Sequence, residues 1–193
     1  SGARAARMML AAVAVVAFVA VAGAVFWLSE QQARKMQVGI PDFSSQEFRL
    51  TDQSGASRSA ADFAGAPAAL FFGYTYCPDV CPMTLTLLAN ALDEVGDRGL
   101  DTAALQTIFV TVDAERDTPE QLAAYLSLFD TEVTGLTGSP EALLKVQRDF
   151  GAYASRVERE DGVVLWDHTA TVYLYDADGR FTGTIVFLSL IHI

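Results

Sequence analysis

At 193 residues with a net charge of −11 at pH 7, the chain has room for one ordinary folded domain and a short appendage, not for two cores. Beyond position 35 the imbalance grows, because residues 36–193 carry 9 Lys/Arg against 23 Asp/Glu, a net of −14. Such a surface repels a phosphate backbone and excludes nucleic acid as a partner; it reads as a solvated acidic face, with steering of a cation or a basic protein as the lesser functional reading.

Residues 8–28 form an uninterrupted run of 21 positions without a charged or strongly polar side chain. As a helix it would reach roughly 31 Å, the thickness of a bilayer's hydrocarbon core. Arg4 and Arg7 precede it and Trp27 sits at its far end, so residues 1–7 are expected to be cytoplasmic and the rest of the chain extracytoplasmic, a single-pass protein of a bacterial-type inner membrane. Arg34 and Lys35 reduce that charge asymmetry. The alternative is a cleaved signal peptide, for which Ala20-Val21-Ala22 has the right small residues; the apolar run exceeds the usual secretory length and favours an uncleaved anchor. Residues 29–42, polar and ending on Gly39 and Pro41, read as a linker.

The folded domain is expected over 43–187. Phe48-Arg49-Leu50-Thr51 followed by Asp52-Gln53-Ser54-Gly55 has the alternation and turn chemistry of an N-terminal hairpin. Ala68-Ala69-Leu70-Phe71-Phe72-Gly73 is a continuous apolar run suited to a strand buried on both faces. The spacing of Leu85, Leu88, Ala89 and Leu92 predicts a helix over 83–95, and Thr107-Ile108-Phe109-Val110-Thr111-Val112 a second buried strand, which makes a parallel strand–helix–strand unit. Thr118-Pro119-Glu120 and Ser139-Pro140-Glu141 each place a capping hydroxyl before a proline at the first helical position, opening helices that run to about Phe129 and Phe150. Residues 170–175 and 181–187 alternate around Asp176-Ala177-Asp178-Gly179 as a C-terminal hairpin. The sum is an α/β sheet with an antiparallel edge. The last six residues, 188–193, match the translation of a transposon-end adapter used in sequencing libraries. They are set aside as a non-native tail on a domain truncated at its C-terminus, which removes His192 from consideration.

The chain has two cysteines, both in Cys77-Pro78-Asp79-Val80-Cys81 between a predicted buried strand and a predicted helix. The first turn of a helix offers free N–H groups and a positive dipole end, and both favour thiolate over thiol. An exported pair of this kind can be a structural disulfide, a redox-active dithiol or a pair of metal ligands. A staple closing so short a loop adds little stability. Three intervening residues, against the two usual in redox motifs, let both sulfurs converge on one ion, but spacing leaves the redox and metal readings open. Two thiolates with an imidazole would suit copper. Outside the set-aside tail the one histidine is His168, in Trp166-Asp167-His168-Thr169-Ala170 ahead of a predicted strand. A lone histidine is ordinarily structural; beside only two cysteines in an exported domain it reads as the third ligand.

Gly73-Tyr74-Thr75-Tyr76-Cys77-Pro78-Asp79-Val80-Cys81-Pro82 resembles the signature of the Sco/SenC family. Three later segments are similar to that family's motifs in the same order: residues 109–119, Gly135-Leu136-Thr137-Gly138, and Asp167-His168-Thr169-Ala170. Ala114 departs from a proline frequent there. The resemblance implies a thioredoxin-like fold, Cys77, Cys81 and His168 as ligands of a copper ion in either oxidation state, and delivery of that copper to the binuclear centre of cytochrome c oxidase subunit II. A copper donor protein is then a second partner. Such a metallochaperone turns over no substrate. The alternative is an enzyme, a thiol–disulfide oxidoreductase that reduces the cysteines of the same copper site, with Cys77 and Cys81 as its catalytic thiols. A peroxidase is disfavoured, since the loop shows no arginine beside Cys77. Nearby, Asp79 reads as setting the turn, Met83 as core, Asp167 as orienting His168, and Asp113 and Asp117 as loop and helix-start residues.

Overall fold

The computed structural model describes residues 20–24, 27 and 39–186. The chain divides into two compact units, residues 1–39 and 40–193. Residues 20–24 and 27 are helical, and among the described residues no helix is long and apolar enough to cross a membrane. Most of the expected span at 8–28 and of the linker at 29–42, together with the tail at 188–193, lies outside the described residues.

In the second unit, β1 (Leu50–Asp52) and β2 (Ser57–Arg58) form the expected small hairpin. The Asp52 carboxylate closes its turn by accepting from the backbone N–H of Ser54 and Ala56 and from Arg58 Nε. Next come β3 (Ala68–Gly73), α1 (Val80–Asp97), β4 (Gln106–Thr111), α2 (Pro119–Leu126), β5 (Val133–Thr137), α3 (Pro140–Asp149), β6 (Ala154–Glu158), β7 (Val164–His168), β8 (Thr171–Tyr175) and β9 (Phe181–Val186). Seven strands make one sheet in the order β2-β1-β5-β4-β3-β8-β9, while β6 and β7 pair apart from it as a two-stranded ribbon. Within the large sheet β3–β4 and β4–β5 are parallel and the other pairings antiparallel.

Every residue of β3 is buried, as its unbroken apolar run requires of a strand with neighbours on both sides and cover on both faces. Phe71, Phe72, Phe109, Ile108, Leu85, Leu122, Leu136 and Leu143 fill the core around it. Both proline-led helices start as read: Thr118 Oγ1 accepts from Gln121 N–H and Ser139 Oγ from Ala142 N–H. Helix α1 begins three residues earlier than its apolar spacing indicated and buries Cys81, Thr84, Leu85, Leu88 and Ala89 on one face. Met83 falls off that face and is 41% exposed, which corrects its reading as core. Strand β5 and the β6–β7 ribbon add to the expected elements.

The register explains where the chemistry collects. Val172 of β8 lies opposite Phe71 of β3, so the residues just before β8 pass beyond the C-terminal end of β3, where the cysteine loop begins. Gly73 ends β3 under that loop. A Cβ there would sit 2.8 Å from Phe109 Cε2 and 2.9 Å from Cys81 Sγ. Gly73→Ala is therefore expected to cost about 1–3 kcal/mol by overpacking, read from urea unfolding of the reduced domain. A change within about 0.5 kcal/mol, typical of a surface site, would contradict this packing.

Candidate metal centre

Cys77 lies in the turn before α1 and Cys81 in that helix's first turn, where backbone N–H groups have no partner of their own. The usual cap oxygen is missing. Asp79 occupies the cap position, yet its exposed side chain makes no capping bond. Cys77 Sγ instead accepts from the backbone N–H of Cys81 at 3.4 Å. Both cysteines are free thiols, Cys77 half-buried and Cys81 sealed from solvent.

The two sulfurs are electrostatically unequal. The Cys81 side chain beside it lowers Cys77 to about 4; burial opposes this, while His168 and the N–H groups of Asp79 and Cys81 assist. Burial, and then the neighbouring Cys77, drive Cys81 upward. The reduced metal-free pair is thus one accessible thiolate backed by one buried thiol. In the unfolded chain Cys77 returns to about 9, so between these values the unfolded state binds the extra proton. Stability from this group accordingly rises with pH across the window and is lost as pH falls through about 4. Alkylation of the reduced domain by iodoacetamide is expected to modify Cys77 with an inflection near pH 4; an inflection near 9 would remove this account of the loop.

His168 is the last residue of β7. Its Nε2 stands 3.3 Å from Cys81 Sγ, and its Nδ1 lies 3.0 Å from the carbonyl oxygen of Thr169. A carbonyl can only accept, so Nδ1 carries a proton, and Nε2 is the ring nitrogen that faces the sulfurs. Tyr74 and Phe71 hold the ring edge-on, with centroids 5.7 Å and 6.2 Å away. Asp167 does not orient His168: strand alternation turns it outward, it is exposed, and the Thr169 carbonyl fills that place.

The ligand atoms of Cys77, Cys81 and His168 all lie within 4.8 Å of one another, and among the described residues they form the one such group that could hold a metal ion. Two soft sulfurs and an imidazole fit copper. Beneath them lies a residue that sequence reading underrated. Asp117 is fully buried and accepts from Thr75 N–H at 3.0 Å and Thr75 Oγ1 at 2.7 Å, and also from the Thr111 hydroxyl. It pins the approach to Cys77 onto the end of β4. Burial raises its carboxyl, against these hydrogen bonds. Asp113 is likewise buried and paired with Arg116, whose guanidinium lies 4.8 Å over the Tyr76 ring. An arginine distant in sequence thus reaches the loop that showed none of its own.

Comparison with known proteins follows the same residues. The profile of a family described as SCO1/SenC matches residues 40–189. The SCO2 homologue of Danio rerio mitochondria is 38% identical over 152 residues, 78% of this chain and 52% of its own length. The SenC protein of Rhodobacter capsulatus is 36% identical over 140 residues, 72% of this chain and 59% of its own. The chain thus spans a little over half the length of these relatives. The solved structure of Bradyrhizobium japonicum ScoI with copper bound superposes with a TM-score of 0.67 at 39% identity, covering 76% of this chain and 97% of that one. Its mixed α/β, thioredoxin-like fold is the one expected from the sequence. On the extent of the profile match and the identity to ScoI, this chain belongs to the SCO1/SenC family.

Proposed function

We propose that this chain is a copper metallochaperone that holds one copper ion between Cys77, Cys81 and His168 and passes it to the binuclear copper centre of cytochrome c oxidase subunit II. The observation that carries the proposal is the convergence of both cysteines and the one described histidine within 4.8 Å. The asymmetry of the sulfurs suits transfer rather than storage. An incoming thiolate can replace the accessible Cys77 while Cys81 and His168 still grip the ion from the buried side. Family membership and the copper in ScoI support the metal. The apolar run at 8–28 would tether the domain to the outer face of the bacterial inner membrane, beside its partner and within reach of a copper donor protein.

The test is an anaerobic titration of the reduced chain with copper, followed by mixing with the reduced, metal-free copper domain of subunit II. One equivalent of copper, and growth of the binuclear centre's absorption on mixing, are the expected results. No uptake, or uptake without transfer, would overturn the proposal.

The same asymmetry favours a second reading, thiol–disulfide exchange. Cys77 thiolate attacks one sulfur of a partner disulfide and releases the other as thiolate; Cys81, losing its proton, then attacks Cys77 Sγ and frees the second. The partner gains two electrons and Cys77–Cys81 becomes the disulfide. Reduction of oxidised subunit II at an undiminished rate by His168→Ala would favour this enzyme reading, which has no use for a third soft ligand.

A further inference from the structure

The ribbon that carries His168 shares no ladder with the main sheet; the pairing of β8 with β3 brings the end of β7 near the cysteine loop, and side chains hold the rest of the ribbon against it. Arg116, in the connection between β4 and α2, reaches both halves of the site. Its Nη1 donates to the carbonyl oxygen of Val164 at 3.1 Å, the first residue of the strand that His168 ends. Its Nε donates to the Asp113 carboxylate, and Asp113 is itself fixed by donating its N–H to Thr111 Oγ1 at 2.9 Å, at the end of β4. Its guanidinium lies 4.8 Å over the ring of Tyr76, the neighbour of Cys77, and 5.8 Å over that of Tyr74. Tyr74 in turn meets the imidazole edge-on at 5.7 Å.

We propose that Arg116 is a positioning residue that sets where His168 stands relative to the cysteine pair. The guanidinium is suited to this because its planar fork serves two acceptors at once while its face packs on aromatic rings. Asp113 neutralises and aims it. With Arg116 removed, β7 loses its tie to the β4 platform, Tyr74 and Tyr76 lose the cation between them, and the imidazole drifts from the sulfurs without any ligand having changed. The proposal rests on the copper reading of the site, and two comparisons separate them.

Copper(II) affinity and the thiolate-to-copper charge-transfer band are measured for the wild type, Arg116→Ala, Arg116→Lys, His168→Ala and the double variant R116A/H168A. Arg116→Ala is expected to weaken Cu(II) binding about tenfold to a hundredfold, the range seen for residues that orient a ligand, and to shift the band. Lysine keeps the charge opposite Asp113 but cannot serve both acceptors, and is expected to restore part of the affinity. Because Arg116 acts through His168, the alanine substitution should change affinity by less than about twofold once His168 is gone. An unchanged band and affinity in Arg116→Ala, or an equal loss in the His168→Ala background, would overturn the proposal. If the alanine variant does not fold, a wild-type band in Arg116→Lys overturns it. A wild type that takes up no copper would refute the metal reading instead. The proposal then stands or falls on the imidazole nitrogen shifts of the metal-free protein by NMR, which the Arg116 variants move if it holds and leave in place if it does not.

Discussion

Asp117→Ala is expected to destabilise the reduced, metal-free domain by about 3–5 kcal/mol, the scale of breaking a buried charged network. The substitution leaves Thr75 N–H and the Thr75 and Thr111 hydroxyls without the acceptor they share, at a place where Asp117 has no exposure and water has no easy entry. The two hydroxyls can rotate toward other partners, but the backbone N–H cannot. Asp117→Asn is the informative control. Its amide oxygen can still take Thr75 N–H and the Thr111 hydroxyl, and its NH2 can donate to Thr75 Oγ1, so a loss of only about 1 kcal/mol is expected, the worth of an ordinary hydrogen bond. Urea unfolding of the three proteins measures both. The pH dependence should differ as well. Burial lifts the Asp117 carboxyl above its unfolded value, so the folded state holds its proton longer, and the stability from this group falls as pH rises between the two values. Asparagine abolishes that slope. Equal losses for alanine and asparagine would mean that the carboxylate's bonds to Thr75 and Thr111 do not hold the loop.

What could be read beforehand, and what could not, follows from how local each signal is. The run at 68–73 and the Thr-Pro and Ser-Pro helix starts are legible because a few adjacent residues determine them. Strand β5 was hidden by Gly135 at its centre, which reads as a strand breaker. The glycine is there because a Cβ would fall 2.5 Å from Leu126 Cδ1 of α2, a contact that only the folded pair reveals. No residue of the β6–β7 ribbon is fully buried, so its side chains give no clear apolar alternation, although Asp161-Gly162, with Gly162 at φ +80°, was a usable turn signal. The cysteines and histidine stood out by scarcity. Asp117 had no such mark: its partner Thr75 is 42 positions away, and only the parallel pairing of Gly73 with Thr111 brings the three residues together.

His168→Ala is expected to separate the two oxidation states of copper. The cysteine pair remains, because Cys77 draws its thiolate character first from Cys81, which the substitution leaves in place together with the N–H groups of Asp79 and Cys81; only the assistance of His168 is lost. Two soft sulfurs suffice for Cu(I), so its affinity should change little. Copper(II) favours nitrogen and a higher coordination number, and the imidazole is the nitrogen donor that Cys77 and Cys81 have beside them. Because disturbing a group that merely orients a ligand costs 10–100-fold, loss of the ligand itself should cost Cu(II) at least about a hundredfold. Competition titrations with chelators of each ion, on reduced protein, measure the two affinities side by side. Asp167→Ala serves as the internal contrast: the Thr169 carbonyl, not that carboxylate, holds Nδ1, and both affinities should stay at the wild-type value. A parallel loss of both ions in His168→Ala would mean that the imidazole builds the loop rather than binding the metal, and no loss of either would strike His168 from the ligand set.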